Sequence, residues 1–386
     1  MTVPVIRAVQ WGTVGAPLLV LGPSLGTTAD DLWRVAAAHL AHRFQVLAWD
    51  LPGHGRSPVP TEPFSFGELA RAVVGLADDA ARDAGTDPGR FVYAGDSAGG
   101  AVGLQLLLDH PGRVAAAALI CTAASFATPD SWRARAAKVR ASGTPSMIEH
   151  SARVWFAPGF LDREPERGAA LLHGLQDASA EGYAAVCDAL VDYDVTARLA
   201  EIAVPVLTIA GAVDTSTPPD RLAEIAGAVA DGRLMVLPNV AHLAPIEAPV
   251  QVAMALIQLA DGALAQQQVY DAGLAVRRAV LGDEHVDRAT AAATELTAEF
   301  QNLITRYAWG TIWTRPGLDR RTRSLITITA LVARGHHEEL AMHVKAAIRN
   351  GVTPAEIRET LLQSAIYCGV PDANTAFRIA SAALAE

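Results

Sequence analysis

The chain has 386 residues, a length typical of two domains or one large domain. It is 51% hydrophobic and carries a net charge of −10 at pH 7 without a long run of one sign, which argues against nucleic acid and membrane surfaces as partners. The first residues show no basic region followed by an apolar stretch, and no run of about 18 apolar residues occurs. We therefore expect a soluble cytoplasmic protein.

In the first two thirds of the chain, short apolar strands alternate with helices. Strands are predicted at residues 17–22, 44–50, 91–94, 115–121, 204–210 and 233–237, and helices near 66–84, 101–108 and 248–260. This alternation predicts an α/β fold with a parallel sheet covered on both faces. Between about 123 and 198 it gives way to helical sequence, which we interpret as a cap over an active site. A helical excursion of the core is the alternative.

The segment Gly95-Asp96-Ser97-Ala98-Gly99 matches the G-x-S-x-G nucleophile elbow, in which a serine stands between a strand and a helix. Glycines are needed there because side chains at the flanking positions would collide with the crossing backbone. An ordinary Gly/Ser turn is the competing interpretation, since the motif is short.

A serine nucleophile needs a base, and the base needs a carboxylate that orients it. Asp214 and His242 each follow a predicted strand, in the chain order Ser, Asp, His of α/β-hydrolases. The sequence therefore predicts the triad Ser97, Asp214 and His242. Asp96 is expected to point away from the base, and His54 is interpreted as structural because it precedes the serine in a glycine-rich turn.

An oxyanion hole is predicted from two backbone N–H groups. One belongs to Ala98, directly after the nucleophile, and the second is assigned to Leu25 in the loop after the strand at 17–22. The His-Gly pair typical of this loop is replaced by Pro23-Ser24, while Gly22 and Gly26 shape the turn.

The remainder of the chain is predicted to form a separate all-helical domain. Glycine and a Gln run interrupt the apolar periodicity at 261–269, which places the domains at 1–262 and 268–386. Helices are predicted at 289–305, 320–333 and 338–350. A further helix is expected to begin at Thr353, whose cap is followed by proline and, three residues on, glutamate.

Two groups of residues in this second domain are candidates for catalysis or substrate binding. Glu339 and His343, four residues apart, share one helix face and could act as a general acid/base pair, with His336 near the helix start. A metal site is a competing interpretation, although the spacing is not H-E-x-x-H; incidental surface histidines are another. Five arginines between 306 and 323 could bind carboxylates or form a solvated basic face.

The first domain resembles the 3-oxoadipate enol-lactonase family over residues 10–260. The resemblance rests on the segments at 24–27, 50–57, 95–97 and 241–247. It implies an α/β-hydrolase fold and, through a matching motif in the cap, a substrate-binding role for Trp132 and Arg135; packing within the cap is the alternative for Trp132. An arginine suits an anionic lactone because a guanidinium binds carboxylate bidentately.

The second domain resembles 4-carboxymuconolactone decarboxylase, a cofactor-free branch of the alkylhydroperoxidase D-like fold, over residues 270–385. The match includes 277–282, 304–310, 321–325, His343-Val344 and 365–371. Where the peroxidase branch has a C-x-x-C pair, this sequence has His336 and Glu339, so disulfide redox chemistry is not expected. We assign His343 and Glu339 to catalysis and Arg321, Arg323 and His336 to substrate binding.

Together the resemblances imply a fusion of two consecutive steps in the protocatechuate branch of the β-ketoadipate pathway, decarboxylation followed by lactone hydrolysis. We expect small anionic lactones as substrates, no cofactor and no metal, and a homo-oligomer built through residues 270–386. The alternative is another serine esterase or lactonase whose helical domain only oligomerises.

Overall fold

A computed structural model describes residues 2–126 and 128–385, except for the side chain of Glu295. The chain divides into two compact units, Met1–Leu264 and Ala265–Glu386. The division lies inside the predicted junction at 261–269. Within the described residues, no helix combines the length and apolar character needed to cross a membrane.

The first unit is built on a seven-stranded sheet. Six strands run parallel and one edge strand, β1, is antiparallel, in the order β1-β3-β2-β4-β5-β6-β7. The strands are β1 Ala8–Trp11, β2 Leu18–Gly22, β3 Gln45–Trp49, β4 Phe91–Asp96, β5 Val114–Ile120, β6 Pro205–Gly211 and β7 Asp231–Leu237. The predicted α/β fold is confirmed. Strand β1 was not predicted because its four residues, three half-buried and one exposed, carry little pattern.

Helices pack against the strands of the sheet, and a helical insertion lies between β5 and β6 in the chain. Because β3, β4 and β5 are buried along their whole length, their sequences read as continuous apolar runs rather than alternating ones. The sheet helices are α1 Ala29–Leu40, α2 Phe66–Asp83, α3 Ala98–Asp109, α9 Pro219–Ala228, α10 Ala244–Glu247 and α11 Pro249–Leu281. The predicted cap consists of α4 Pro129–Ser142, α5 Ile148–Trp155, α6 Phe160–Arg163, α7 Pro165–Asp177 and α8 Ala180–Leu190.

The second unit is entirely helical in its described part. After the end of α11 it contains α12 Asp283–Ala291, α13 Glu295–Ile304, a π-helical segment Thr305–Ile312, α14 Arg320–Arg334, α15 His337–Arg349, α16 Pro354–Cys368 and α17 Val370–Ala385. The capping box predicted at Thr353 is present, with its hydroxyl accepting from Glu356 N and the Glu356 carboxylate accepting from Thr353 N. This helix start is therefore confirmed.

Two helix predictions are wrong. The helix predicted at 248–260 does not end there, because α11 continues through the junction at 261–269 to Leu281. Gly262 is exposed with open space around it, and the surrounding Ala and Gln residues favour helix, so one glycine is tolerated. The single helix predicted at 289–305 is instead interrupted after α12, where Thr294 forms a new N-cap.

Two glycines of α11 provide a test of the continuous helix. We predict that Gly262→Ala raises the free energy of unfolding by roughly 0.5–1 kcal/mol, because alanine loses less backbone entropy in a helix. Gly273→Ala should lower it, because the new Cβ would lie 2.2 Å from the carbonyl oxygen of Thr305. Urea denaturation followed by circular dichroism measures both changes. An unchanged stability of Gly262→Ala would show that this segment is not helical.

Candidate active sites

The nucleophile elbow forms where β4 meets α3. Ser97 has φ 51°, a left-handed conformation that non-glycine residues seldom adopt. A Cβ on Gly95 would lie 2.2 Å from Gly99 O, and one on Gly99 would lie 2.6 Å from the carbonyl carbon of Gly22. The neighbouring backbone thus requires both motif glycines, and the interpretation as an ordinary turn no longer fits.

The predicted triad residues meet at the carboxyl ends of their strands. His242 Nε2 lies 2.9 Å from Ser97 Oγ, and His242 Nδ1 lies 2.8 Å from Asp214 Oδ2. All three side chains are buried. This is the arrangement in which the imidazole takes the serine proton while the carboxylate holds the ring in its orientation.

Asp214 is held as a carboxylate by its surroundings. Its Oδ1 accepts hydrogen bonds from the N–H groups of Ser216 and Thr217, and its Oδ2 accepts from the Thr217 hydroxyl. Burial alone would raise its pKa, but His242 and these donors outweigh it and lower the pKa. In contrast, burial and the nearby charge of Asp214 raise the pKa of Asp96 well above its usual value. The raised pKa favours the neutral acid, and among the described residues no hydrogen bond joins either carboxyl oxygen of Asp96 to His242.

The two predicted oxyanion donors lie on segments that the fold joins directly. Gly99 N, at the start of α3, donates to Pro23 O at 2.8 Å, which ties the loop after β2 to the elbow. Gly26 in that loop has φ 89°, and Thr27 donates to Ser24 O. Among the described residues, neither Leu25 N–H nor Ala98 N–H has a protein acceptor. Both donors are thus available to an oxyanion.

The cap supplies an aromatic residue and a cation. The Arg135 guanidinium lies 4.7 Å from the ring centroid of Trp132, and its Nη2 is 3.2 Å from His150 Nε2. Burial raises the pKa of Tyr183, and the charge of Arg135 opposes that rise, so these groups are neighbours. Tyr183 also packs against Gly26 of the donor loop, so this tyrosine lies next to both Arg135 and the loop. The indole N–H of Trp132 is buried and has no acceptor in the described chain.

Glu247, the last residue of the segment 241–247, connects the His242 loop to the cap. Its Oε1 accepts from Ala241 N and its Oε2 accepts from Ala157 N, each at 2.9 Å. Burial raises its pKa to about 6, despite these two donors. A carboxylate can accept both N–H groups at once, so Glu247 fixes the backbone directly before the catalytic histidine.

In the helical unit, His343 is partly buried on α15 and Glu339 lies one turn earlier. Burial, with the charge of His285 on α12, lowers the pKa of His343, and Glu339 acts in the opposite direction. No hydrogen bond joins His343 to Glu339 in the described part of the chain. His285 carries no signal in the sequence, because its influence on His343 comes from the fold rather than from the spacing of the two residues.

The predicted substrate-binding arginines have other partners in this structure. The Arg321 guanidinium forms an ion pair with Glu356, the carboxylate of the α16 capping box. Arg323 donates to the backbone oxygens of Leu318 and Arg315. His336 caps α15 at an exposed position. Substrate binding by these three residues stays a prediction, and it would require the two arginines to give up their existing contacts. No group of three or more His, Cys, Asp or Glu side chains in the described residues is arranged to hold a metal ion.

Comparison with known proteins assigns a family to each unit. A model of the alpha/beta hydrolase fold matches residues 17–162, and a model of the carboxymuconolactone decarboxylase family matches residues 298–382. The chain is 35% identical over 207 residues to 3-oxoadipate enol-lactonase 2 of Acinetobacter baylyi, covering 54% of this chain and 75% of that protein. The solved enol-lactonase of Burkholderia xenovorans superposes with a TM-score of 0.62 at 30% identity, covering 66% of this chain and 96% of that one.

Two decarboxylases are similar to the helical unit. The chain is 46% identical over 114 residues to 4-carboxymuconolactone decarboxylase of Acinetobacter baylyi, covering 30% of this chain and 85% of that protein. It is 49% identical over 105 residues to a nitrosuccinic acid decarboxylase of Metarhizium robertsii, covering 27% of this chain and 73% of that protein. The two sets of relatives therefore match different parts of one chain.

The Glu247 contact generates a prediction for hydrolysis. In Glu247→Gln, the amide oxygen can accept one N–H, but the amide NH2 faces the other donor, so one bond is lost. We expect kcat for a chromogenic ester at pH 8 to fall about tenfold with little change in KM, because the base is misplaced while substrate contacts persist. Glu201→Gln, at an exposed glutamate paired with Arg198, is the control. Equal kcat values in the two variants would contradict this positioning role.

Proposed function

The chain belongs to two families in one polypeptide, the 3-oxoadipate enol-lactonases of the α/β-hydrolase fold and the carboxymuconolactone decarboxylases, and on this basis we propose that it is a bifunctional enzyme. The helical unit decarboxylates 4-carboxymuconolactone to 3-oxoadipate enol-lactone. The first unit hydrolyses that lactone to 3-oxoadipate. The observation that carries the proposal is a complete Ser97–His242–Asp214 triad in a chain whose second unit belongs to the family that makes an enol-lactone.

Decarboxylation needs an electron acceptor and a proton donor. When the C–CO2⁻ bond breaks, its electron pair enters the conjugated lactone as a dienolate, so the substrate is its own electron sink and no cofactor is required. His343 in its protonated form then donates a proton to the ring carbon next to the carbonyl, and solvent restores that proton. The lowered pKa of free His343 opposes this form, but the negative charge of a bound dicarboxylate favours it.

Hydrolysis follows the serine acyl-transfer sequence. Ser97 Oγ attacks the lactone carbonyl while His242 takes its proton, and the oxyanion accepts hydrogen bonds from Leu25 and Ala98 N–H. Collapse breaks the ring C–O bond, and His242 returns its proton to the departing enolate oxygen. The resulting enol, which is still part of the acyl-enzyme, tautomerises to the ketone. Water, deprotonated by His242, hydrolyses the acyl-enzyme and restores Ser97. Arg135 and Trp132 hold the carboxylate arm of the lactone, because a guanidinium next to an indole N–H matches an anion.

Two broader assignments belong to the same proposal. We place the reaction in the protocatechuate branch of aromatic catabolism and the protein in the cytoplasm. A second candidate for the helical unit is decarboxylation of another small dicarboxylate, which the identity to a nitrosuccinic acid decarboxylase favours. In both substrates, an unsaturated group next to the carboxylate can accept the electron pair that remains when CO2 departs.

We also propose that the helical unit forms a homo-oligomer. Large apolar side chains are exposed on α13, where Leu296, Phe300 and Leu303 lie at helical spacing with exposures of 90%, 59% and 59%. The end of α16 exposes Ile366 and Tyr367. A second copy of this unit, carrying the same apolar surface, is the partner that these faces fit.

The order of the two steps can be tested with one variant. Purified wild-type protein given 4-carboxymuconolactone should form 3-oxoadipate, whereas Ser97→Ala should stop at the enol-lactone because its nucleophile is missing. Proton NMR during the reaction distinguishes the three compounds. Formation of 3-oxoadipate by Ser97→Ala, or absence of any turnover in the wild type, would contradict the proposal.

The oligomer proposal predicts a change in mass. Leu296→Glu combined with Phe300→Glu should reduce the particle to a monomer, because two charges would be buried unpaired in the contact. Light scattering after size exclusion gives the mass. Val250→Glu, at an exposed apolar position on α11 in the first unit, is the control and should keep the wild-type mass. A monomeric wild type would refute this part.

A further inference from the structure

Arg277, near the end of α11, is a buried cation without a buried anion. Its residue surface is only 6% exposed, and its Nε–H is buried without an acceptor. Two of its five donors are used, since Nη1 donates to Thr305 Oγ1 at 3.2 Å and Nη2 to Gln301 Oε1 at 2.9 Å. Both acceptors are neutral, and no carboxylate of the described residues forms an ion pair with Arg277.

Close backbone contacts between α11 and the π-helical segment surround Arg277. Gly273, one turn before Arg277, approaches the π-helical segment so closely that a Cβ there would lie 2.2 Å from Thr305 O. Gly310 approaches α11 in the same way, with a Cβ position 2.3 Å from Val269 O. The contact places Arg277 against Thr305, the first residue of the π-helical segment. Such segments are rare and occur frequently at functional sites.

Arg277 is carried by elements that pack with those of the candidate decarboxylase histidines. Burial lowers the pKa of His285, and the positive charge of Arg277 adds to this effect. His285 acts in turn on His343. The apolar cluster that joins the end of α11 to α12, the π-helical segment and α15 contains Val280, Val286, Trp309, Ala346 and, at its edge, Met342. Arg277, His285 and His343 are thus carried by elements that pack together.

A purely structural role explains Arg277 poorly. Burying an unpaired charge is expensive, and a neutral side chain of similar size would fill the same space without that cost. Arg278, the next residue, shows the ordinary alternative, because it is more exposed and pairs with Asp283 and Asp287. A buried guanidinium with free donors and no protein anion is instead suited to bind an anion from outside.

We propose that Arg277 is the substrate-carboxylate anchor of the decarboxylase unit, and that it binds the carboxylate that remains on the product. This inference rests on the proposed function. Of the two carboxylates of 4-carboxymuconolactone, one loses its charge in the transition state as CO2 departs. A guanidinium on that group would stabilise the ground state more than the transition state and slow the reaction. The retained carboxylate keeps its charge throughout, so a cation there binds substrate without opposing the chemistry.

Kinetics of the full-length protein test the proposal. Arg277→Met should raise KM for 4-carboxymuconolactone about a hundredfold, because a buried charge-assisted pair is lost, while kcat changes far less. Arg277→Lys retains the charge but not the planar fork, and its KM should fall between those of Arg277→Met and the wild type. Arg278→Met is the matched control and should leave KM unchanged. Hydrolysis of enol-lactone supplied directly should be equal in all four proteins.

The possible outcomes separate this inference from the proposed function. If the wild type does not decarboxylate 4-carboxymuconolactone, the proposed function fails for the helical unit, and the anchor role fails with it. If the wild type is active and Arg277→Met keeps its KM, only the anchor is refuted. A smaller oligomer with unchanged KM would assign Arg277 to a contact between copies and also refute it. If the helical circular dichroism signal of Arg277→Met is reduced, this variant has misfolded and the KM of Arg277→Lys becomes the test. A wild-type KM for Arg277→Lys would then overturn the proposal.

Discussion

The hydrolytic site depends on the close crossing of the start of α3 and the end of β2. Gly22 and Gly99 allow the two backbones to meet, and the Gly99 N–H donates to Pro23 O across the contact. One crossing therefore presents the Ser97 hydroxyl and brings the loop of Leu25 beside the elbow. The sheet then places Asp214 and His242 at the same edge, because all the parallel strands end there.

The sequence was sufficient for the parts of the site that follow strand ends. Ser97, Asp214 and His242 could be predicted because apolar strands are readable and their carboxyl ends share one edge of a parallel sheet. Glu247 could not, because its function lies in accepting N–H groups from Ala241 and from Ala157, 90 residues away in the cap. The helix end predicted near residue 260 was wrong because an exposed glycine in a helix, here Gly262, costs only about 1 kcal/mol, which its neighbours offset.

In the helical unit, the sequence predicts the acid/base candidates but not the buried arginine. Its acid/base candidates, Glu339 and His343, were visible from their spacing, and the electrostatic influence of Glu339 on His343 is present. The burial of Arg277 was not visible, since arginine is mostly exposed and nothing in its local sequence marks it as an exception. Arg277 is buried where α11 and the π-helical segment approach each other through their glycines. Local propensity predicts neither the π-helical segment nor the close approach. Arg321 and Arg323, which the sequence predicts to bind substrate carboxylates, contact Glu356 of a helix cap and the backbone of a turn in this structure.

Both proposed steps use the electron-accepting property of one lactone, first as a sink for the electrons of a departing carboxylate and then as an activated acyl group. The central claim is that each unit performs its own step. The most direct measurement mixes two variants that each lack one step, Ser97→Ala and His343→Gln, and follows 3-oxoadipate formation from 4-carboxymuconolactone. The account predicts that neither variant alone forms 3-oxoadipate and that the mixture does, because the enol-lactone made by one is hydrolysed by the other. A mixture that forms no 3-oxoadipate, or a single variant that completes both steps, would contradict the account.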